Sequence, residues 1–435
     1  MKYKTLLVAL ILNILLVGKF FSQNISKDSL TLNDAISLTL SNQPLIQQAL
    51  EEINAAQARI NQQKSFNYPD VHANLSYTRI GPIPKIQFGE MGFELAPANN
   101  YNATLTSSQI IYDFGKRDAL IELASSYKLK AEDKIDLIKN DLSYQTVKTF
   151  YTILFLQKSI DVKDEQIKTL TKHIEVTSKK VESGTATDFD ILTTKVRLAA
   201  AQNQKADLEN ALNKAKIYLR NLFGWPSNKE LNLNGKLNLD SAYIDTTSLI
   251  SEALKKRPEM KLALDAQKSA ILMKQTASLT DVPILNITAN YGFKNGYEPN
   301  LNVLRGNWAA GVFASVPIFN GNLKNAKIEE AEANIKYASA ELLQLERVIK
   351  TEVEQAVADL NAVRSKIKTT QLQVEQAKQA VSRAEIQYAN GVITNLDLID
   401  AETALSEAEL MYVQVIYNNI INKYNLYKSI GKILW

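Results

Sequence analysis

The sequence has 435 residues, of which 46% are hydrophobic and 22% are charged, and it contains no cysteine. This balance is typical of a folded protein, so an intrinsically disordered chain is excluded, and disulfide bonds are excluded as well. The formal net charge of only +4 argues against nucleic-acid binding, because nucleic-acid-binding proteins concentrate basic residues on one face.

The N-terminal residues 1–22 are predicted to be a secretory signal peptide. Two lysines precede an apolar run from Leu6 to Val17, and the small Ser22 follows. That order of charged, apolar and small residues is typical of a cleavable export signal. A membrane anchor is the alternative, but the run has about 12 residues, whereas a spanning helix needs about 20. We therefore expect the protein to be exported.

Four long segments without glycine or proline are predicted to be helices, because both residues break helices. The segments are residues 116–183, 185–223, 322–390 and 392–430. At 1.5 Å per residue the longest would extend roughly 100 Å, so it must project from a compact domain and pack laterally on other helices. An exported structural coiled-coil protein without a pore would have the same helices, and it is the alternative interpretation at this point.

The near-equal lengths of these segments, in the order long, short, long, short, predict an internal duplication. We assign residues 23–224 to a first repeat, residues 225–248 to an inter-repeat equatorial linker, and residues 249–435 to a second repeat. Each repeat is expected to contain a helix, two strands, a very long helix, a tight turn at a tip, and a shorter returning helix.

Between the helices, four stretches have a period of two residues, the last of them least cleanly because Gly311, Phe313 and Ser315 lie on its second face. They are VHANLSY, YNATLTS, LNITANYGF and WAAGVFASV, which begin at residues 71, 101, 285 and 308. Such alternation predicts strands with one face in an apolar medium and the other in water. The links at residues 80–100 and 295–307 are rich in turn residues and are predicted to be external loops.

The strand pattern fits a membrane-embedded barrel, because aromatic residues lie near the strand ends of the apolar face. Four strands cannot close a barrel, since single-chain barrels start at eight strands, and open sheet edges are not tolerated in lipid. The chain is therefore expected to oligomerise, with a total strand number that is a multiple of four.

The two tip turns are predicted from residues that recur at an offset of 207, namely Gly184, Thr187, Gly391 and Thr394. Glycine just past a helix end adopts the left-handed conformation without steric cost. Asp190 and Asp397 follow the threonines by three positions, which is the spacing of a capping box. Asp400 lies one helical turn beyond Asp397, and its counterpart is Thr193, so this second acid is not needed to form the turn.

The sequence resembles the TolC-like outer membrane factor family over nearly its whole length. The resemblance rests on the two repeats, on YPDV…LSY and VPIL…ANY at the strands, on IIYDFGKR and VPIFNGNLK at strand-to-helix junctions, and on the two tips. It implies a mainly α fold with a small β part, in which duplicated coiled-coil hairpins form an α-helical tunnel. Four strands per chain would contribute to a 12-stranded transmembrane β-barrel in a homotrimer.

The resemblance also implies a function. The protein would be a passive, non-enzymatic channel-tunnel in the outer membrane of a Gram-negative bacterium, and it would need no cofactor. It would belong to a tripartite efflux pump or a type I secretion system. Its partners would be outer-membrane lipid, a periplasmic adaptor (membrane fusion) protein and an inner-membrane pump of the RND or ABC type, and nucleic acid would not be among them.

By the same resemblance, the tips carry the gate. Asp397 and Asp400 match two aspartates that line the constricted periplasmic entrance, and in a trimer they would form stacked carboxylate rings that bind cations. Tyr388 and Asp190 match residues that hold the entrance closed, and the tip turns would dock the adaptor. Ile393 stands where the family has an arginine, so closure is expected to depend more on coiled-coil packing.

The remaining candidate residues carry no chemistry in this interpretation. His72 and His173 lack the spacing of metal ligands, and they are treated as incidental. The sequence shows no glycine-rich phosphate loop, nucleophile elbow or catalytic carboxylate pair, so an exported hydrolase has no support.

Overall fold

A computed structural model describes residues 29–89, 91–238 and 248–435. The predicted signal peptide, residues 1–22, lies outside the described residues, as do residues 239–247 of the predicted linker. Within the described part, the first helices and strands are α1 (Leu32–Asn42), α2 (Pro44–Ser65), β1 (Asp70–Arg79), β2 (Lys85–Phe88), β3 (Met91–Glu94), β4 (Asn99–Tyr112), α3 (Lys116–Glu182) and α4 (Asp188–Leu222). The elements that follow are α5 (Leu249–Lys256), α6 (Pro258–Ser278), β5 (Ile284–Lys294), β6 (Arg305–Ser315), α7 (Leu323–Ala389) and α8 (Asn395–Ser429).

The four long helices predicted from glycine and proline spacing are confirmed. α3 and α7 have 67 residues each, and α4 and α8 have 35 residues each. At 1.5 Å per residue α3 and α7 are each roughly 100 Å long. α3 and α4 form one antiparallel hairpin, α7 and α8 form a second, and α3 also packs along α8. The helices therefore lie side by side in the order α4, α3, α8, α7.

The four predicted strands are confirmed and form one antiparallel sheet in the order β1-β4-β5-β6. Tyr77 lies opposite Tyr101, and Tyr291 lies opposite Trp308. The face carrying these aromatic residues is exposed in the single chain, with Trp308 77% accessible. A sheet with a large uncovered apolar face requires an apolar environment or a partner.

A short hairpin occupies the link at residues 80–100, which the sequence analysis treated as a loop. β2 pairs with β3, and Ile86 lies opposite Phe93. Gly89 has a φ of +61°, a conformation that suits the tight turn between two strands. This hairpin within the predicted external loop was not foreseen, because four-residue strands flanked by glycine and proline give too little alternation to detect.

A hydrophobic cluster holds α3 against the end of α4 near the middle of the long helices. Phe150 and Ile153 of α3 pack with Leu219 and Phe223, and all four side chains are buried. Burying side chains of this size stabilises the packed state by roughly 1.5–3 kcal/mol each. Ile153 precedes the end of α3 by 29 residues, which corresponds to about 45 Å.

A second cluster has the equivalent position in the second hairpin. Ile349 and Val353 of α7 pack with Leu426 of α8 and Leu249 of α5. The two clusters fix the helices at mid-length. The strands directly precede the two longest helices, so the sheet lies at one end of these helices and the two tips lie together at the other.

No helix among residues 29–89, 91–238 and 248–435 is both long enough and apolar enough to cross a membrane.

Candidate functional site at the helical tips

Both tips are built by the same helix-ending motif. After α3, the Thr185 N–H donates to the Lys180 carbonyl at 2.8 Å, and the Gly184 N–H donates to the Val181 carbonyl at 2.9 Å. After α7, the corresponding bonds run from Val392 to Gln387 and from Gly391 to Tyr388. The two glycines have φ values of +76° and +72°. This is the Schellman pattern, in which a left-handed residue lets the chain satisfy the last helical carbonyls.

Both returning helices begin with a capping box. The Asp190 N–H donates to Thr187 Oγ1 at 3.3 Å, and the Thr187 N–H donates to Asp190 Oδ2 at 2.9 Å. The Thr394 and Asp397 pair repeats this exchange at 3.2 and 2.8 Å. Hydrogen bonds from the Thr394 hydroxyl and main chain lower the pKa of Asp397. Both acids are therefore used locally, in addition to any role at an entrance.

The two tips are joined by a group of polar side chains, all buried except half-buried Lys180, which we call the tip cluster. Its members are His173, Thr177, Lys180, Thr194, Tyr388 and Asn395. Asn395, at the start of α8, is only 5% exposed. Its Nδ2 donates to the main-chain carbonyl of Asp190 at 3.1 Å, and its Oδ1 is hydrogen-bonded to His173 Nε2. One side chain thus connects the second tip to both helices of the first hairpin.

Tyr388 is the member of the tip cluster on α7. Its ring is 8% exposed, and its hydroxyl lies 3.4 Å from Thr177 Oγ1. Lys180 Nζ donates to the Tyr388 carbonyl at 2.9 Å and lies 3.9 Å from the centroid of the ring. A cation over an aromatic face contributes about 0.5–2 kcal/mol, depending on burial. Tyr388 therefore holds the end of α3 against the end of α7.

Asp400 lies outside the tip cluster and makes a different contact. Its Oδ1 is 3.3 Å from Arg197 on α4, and both side chains are about half exposed. In the first tip the equivalent residue, Thr193, donates to the Asp190 carbonyl instead. The acid that the turn does not need is thus paired with a basic residue of the neighbouring hairpin.

Apolar packing surrounds Ile393. Together with Ala401 it packs against a buried group made of Ala384, Tyr388 and Leu398. Glu402 lies next to Ala401 and is 8% exposed, and its Oε2 has no hydrogen-bond partner among the described residues. Burial, with a smaller contribution from Glu385, raises the pKa of Glu402 to about 7.

Several of these residues were not predicted from the sequence. The prediction that His173 is incidental was wrong, because His173 is buried and bonded to Asn395. Asn395, Arg197 and Glu402 carried no local signal, since the partners of the first two lie about 200 residues away in the chain. Across the described residues, no group of three or more metal-binding side chains is suited to hold an ion.

A family model described as outer membrane efflux protein matches residues 35–225 and 249–432. The curated relatives include Protein CyaE of Bordetella pertussis, which is 24% identical over 78% of this chain and 70% of its own length. Outer membrane protein TolC of Escherichia coli is 23% identical over 90% of this chain and 80% of its own length. Fusaric acid resistance protein FusA of Burkholderia cepacia is 21% identical over 65% of this chain, and this chain covers only 54% of its length.

The fold is also that of solved structures. The outer membrane protein VceC from Vibrio cholerae matches with a TM-score of 0.77 and 20% identity, over 92% of this chain and 96% of that protein. The CmeC outer membrane channel of Campylobacter jejuni matches with a TM-score of 0.79 and 16% identity, over 92% of this chain and 85% of that protein. The long double hairpins and the four-stranded sheet are therefore a known arrangement.

Proposed function

The chain belongs to the outer membrane efflux protein family, and on this premise we propose that it forms the outer-membrane channel-tunnel of a tripartite efflux pump or a type I secretion system. The observation that carries this proposal is the combination of two roughly 100 Å hairpins with a small sheet whose apolar face is uncovered. The hairpins have the length to span a periplasm, and the sheet has the surface to meet lipid.

The assembly that fits these features is a homotrimer. One chain supplies four strands with two free edges, β1 and β6. Three chains would pair these edges into 12 strands and close a barrel wide enough for a channel. The helices of three chains would then form the wall of a tunnel. We infer that residues 1–22 direct export, that 23–224 and 249–435 are the two repeats, and that 225–248 is the linker between them.

The channel would act as a passive conduit and not as an enzyme. Family members are channel components of efflux or secretion systems. For this chain we propose docking to a periplasmic adaptor protein and, through it, to an inner-membrane pump of the RND or ABC type that supplies the energy. The turns at Gly184, Thr187, Gly391 and Thr394 are the surfaces proposed to meet the adaptor, because they form the end of the molecule farthest from the sheet.

Fractionation and conductance test this proposal. The full chain, expressed with its N-terminus in a Gram-negative host, is expected in the outer membrane as a trimer. The purified protein is expected to give stable single-channel currents in planar bilayers. Recovery in the soluble periplasmic fraction, or a folded trimer that never conducts, would remove the channel proposal.

The gate is proposed to lie at the tips. Asp397 and Asp400 would form the cation-binding rings of the trimer, while Tyr388 and the Asp190 segment hold the two hairpins together. Three contacts support this assignment: the buried Tyr388, the Asn395 bond to the Asp190 carbonyl, and the Arg197–Asp400 pair. Opening would require the second hairpin to move away from the first, and an adaptor that binds the open form better would favour it.

Cation block of the current tests the gate. Divalent or trivalent cations added on the tip side are expected to block the parent channel, and the double variant Asp397→Ala/Asp400→Ala is expected to lose this block. Thr394→Ala is the matched control, because it removes the capping hydroxyl of the same tip and leaves both aspartates in place. Unchanged block in the double variant would refute the aperture assignment.

A further inference from the structure

A cleft of about 690 Å³ separates α4 from α8 on the sheet side of the tips. α3 forms its floor, and α4 and α8 form its walls. Lys163 on the floor precedes the end of α3 by 19 residues, which is about 29 Å from the tip. The cleft is therefore separate from the tip cluster, and it shares only Arg197, the partner of Asp400, with the proposed gate.

Lys163 is an unusual floor residue because it is charged and buried. It is 4% exposed, and its Nζ donates to Gln166 Oε1 at 2.8 Å and lies 3.5 Å from Ser406 Oγ. Among the described residues, no carboxylate lies within 4.0 Å of this ammonium group, although many other lysines of the chain have such a partner. Burial lowers the pKa of Lys163, and the more distant Glu407 opposes only part of this effect. A buried cation with neutral partners only is costly, so an anion at this position would be stabilised.

The rest of the lining mixes polar and apolar side chains. Arg197 lines the end nearer the tip, whereas Phe155 lies two helical turns beyond Lys163, at a distance of about 12 Å along α3. Leu410 and Met411 of α8 add apolar surface there. Asp207 and Glu407 also line the cleft, but both are exposed, so solvent screens their charges more than that of Lys163.

We propose that this cleft binds an amphipathic organic anion. Its carboxylate or sulfonate accepts a hydrogen bond from Lys163, and Arg197, which lies nearer the tip and pairs with Asp400, adds positive charge at longer range. Its apolar body lies along Phe155, Leu410 and Met411. The bound molecule touches α3, α4 and α8 together, so it fixes the spacing of the two hairpins. This binding does not depend on the channel function, and it can be tested without measuring transport.

The absence of cysteine in the chain gives a direct assay. Thr403 lines the cleft, and Thr403→Cys introduces a single thiol whose reaction with a small maleimide reports access. In the purified full-length protein, about 1 mM 2-naphthoate is expected to slow this labelling about fivefold. By mass action, this slowing corresponds to a dissociation constant near 0.25 mM. The neutral analogue 2-naphthalenemethanol is expected to protect less than half as well. Ala404→Cys is the matched control, because Ala404 is exposed and is not part of the cleft.

Substitution of the buried lysine completes the test. Lys163→Gln is expected to abolish protection by 2-naphthoate, and Lys163→Arg is expected to retain most of it, because only the second keeps the charge. Equal protection by the acid and the alcohol, or full protection in Lys163→Gln, would overturn the proposal. If Lys163→Gln alters labelling at Ala404→Cys and is therefore misfolded, the comparison of acid and alcohol in Thr403→Cys with Lys163 intact decides.

Discussion

The first tip turns its returning helix toward solvent, and the second tip buries the same positions. Leu192 on α4 is 59% exposed, whereas its equivalent Ile399 on α8 is fully buried. Asp188 and Lys195 of the first tip are exposed, and their equivalents Asn395 and Glu402 are at most 8% exposed. Because α8 lies between α3 and α7 while α4 packs mainly on α3, the same local turn has acquired two different environments.

This difference separates what a turn requires from what a neighbour requires. The Schellman bonds and capping boxes are alike in both tips, so they serve the turn. The buried amide and the buried acid occur only in the second tip, so they serve the contact between hairpins. In the proposed trimer, the uncovered face of α4, with Leu192 and Val196, is the surface left for a neighbouring chain.

The largest expected effect comes from removing the residue that connects the tips. Asn395→Ala removes the amide that bonds both the Asp190 carbonyl and His173. The carbonyl keeps the Thr194 hydroxyl, but buried His173 keeps only a 3.4 Å contact with Thr177, and a poorly satisfied buried group costs about 1–3 kcal/mol. Hydrogen exchange in the last turn of α3 should then accelerate roughly 30-fold or more. Asp188→Ala, at the equivalent exposed position, should change exchange by less than about threefold. Equal effects at both positions would mean that the tips are not joined through Asn395.

The next largest effect is a dependence of stability on pH, which we expect from buried Glu402 in the second tip. Burial raises the pKa of Glu402 to about 7 in the folded protein, above its ordinary value near 4.5. The folded state thus holds this proton more tightly, so stability is greatest below pH 4.5 and is lost as the pH rises through 7. As the pH rises from about 5.5 to about 8, the melting temperature of the parent protein should decrease more than that of Glu402→Gln. Lys195→Gln, at the exposed equivalent position, should have the same pH dependence of stability as the parent. If the melting temperatures of the parent and Glu402→Gln change in parallel with pH, Glu402 is not the group responsible.

The turns could be predicted from the sequence, whereas the contacts between the two tips could not. Gly184 and Gly391, with the threonines and acids that follow them, gave the turns because every bond in them spans five residues or fewer. The long helices and the four sheet strands were also predictable, because the residue patterns that indicate them lie within each segment. The tip cluster was not predictable in this way, because His173 and Asn395 meet only after two separate hairpins have packed.

A smaller and equal effect is expected where the tips are alike. Thr187→Ala and Thr394→Ala each remove the hydroxyl that accepts from the third residue of the helix, and each should cost about 1 kcal/mol. Exchange in the first turn of α4 and of α8 should accelerate by about the same factor, near fivefold. A much larger effect in one tip would show that the turn itself, and not only its surroundings, differs between the repeats.

The smallest effect concerns the ion pair between the hairpins. Arg197 and Asp400 are about half exposed, and exposed pairs contribute about 0.2–1 kcal/mol because water and salt screen them. A double-mutant cycle of Arg197→Ala and Asp400→Ala, read by hydrogen exchange at the tip, should give a coupling of about 0.5 kcal/mol that vanishes near 1 M salt. A coupling several times larger would make this pair the main tether in place of the buried cluster. A pair this weak would hold the hairpins while still releasing Asp400 to a cation, as the proposed ring requires, whereas the buried contacts of Asn395 would have to break as a unit.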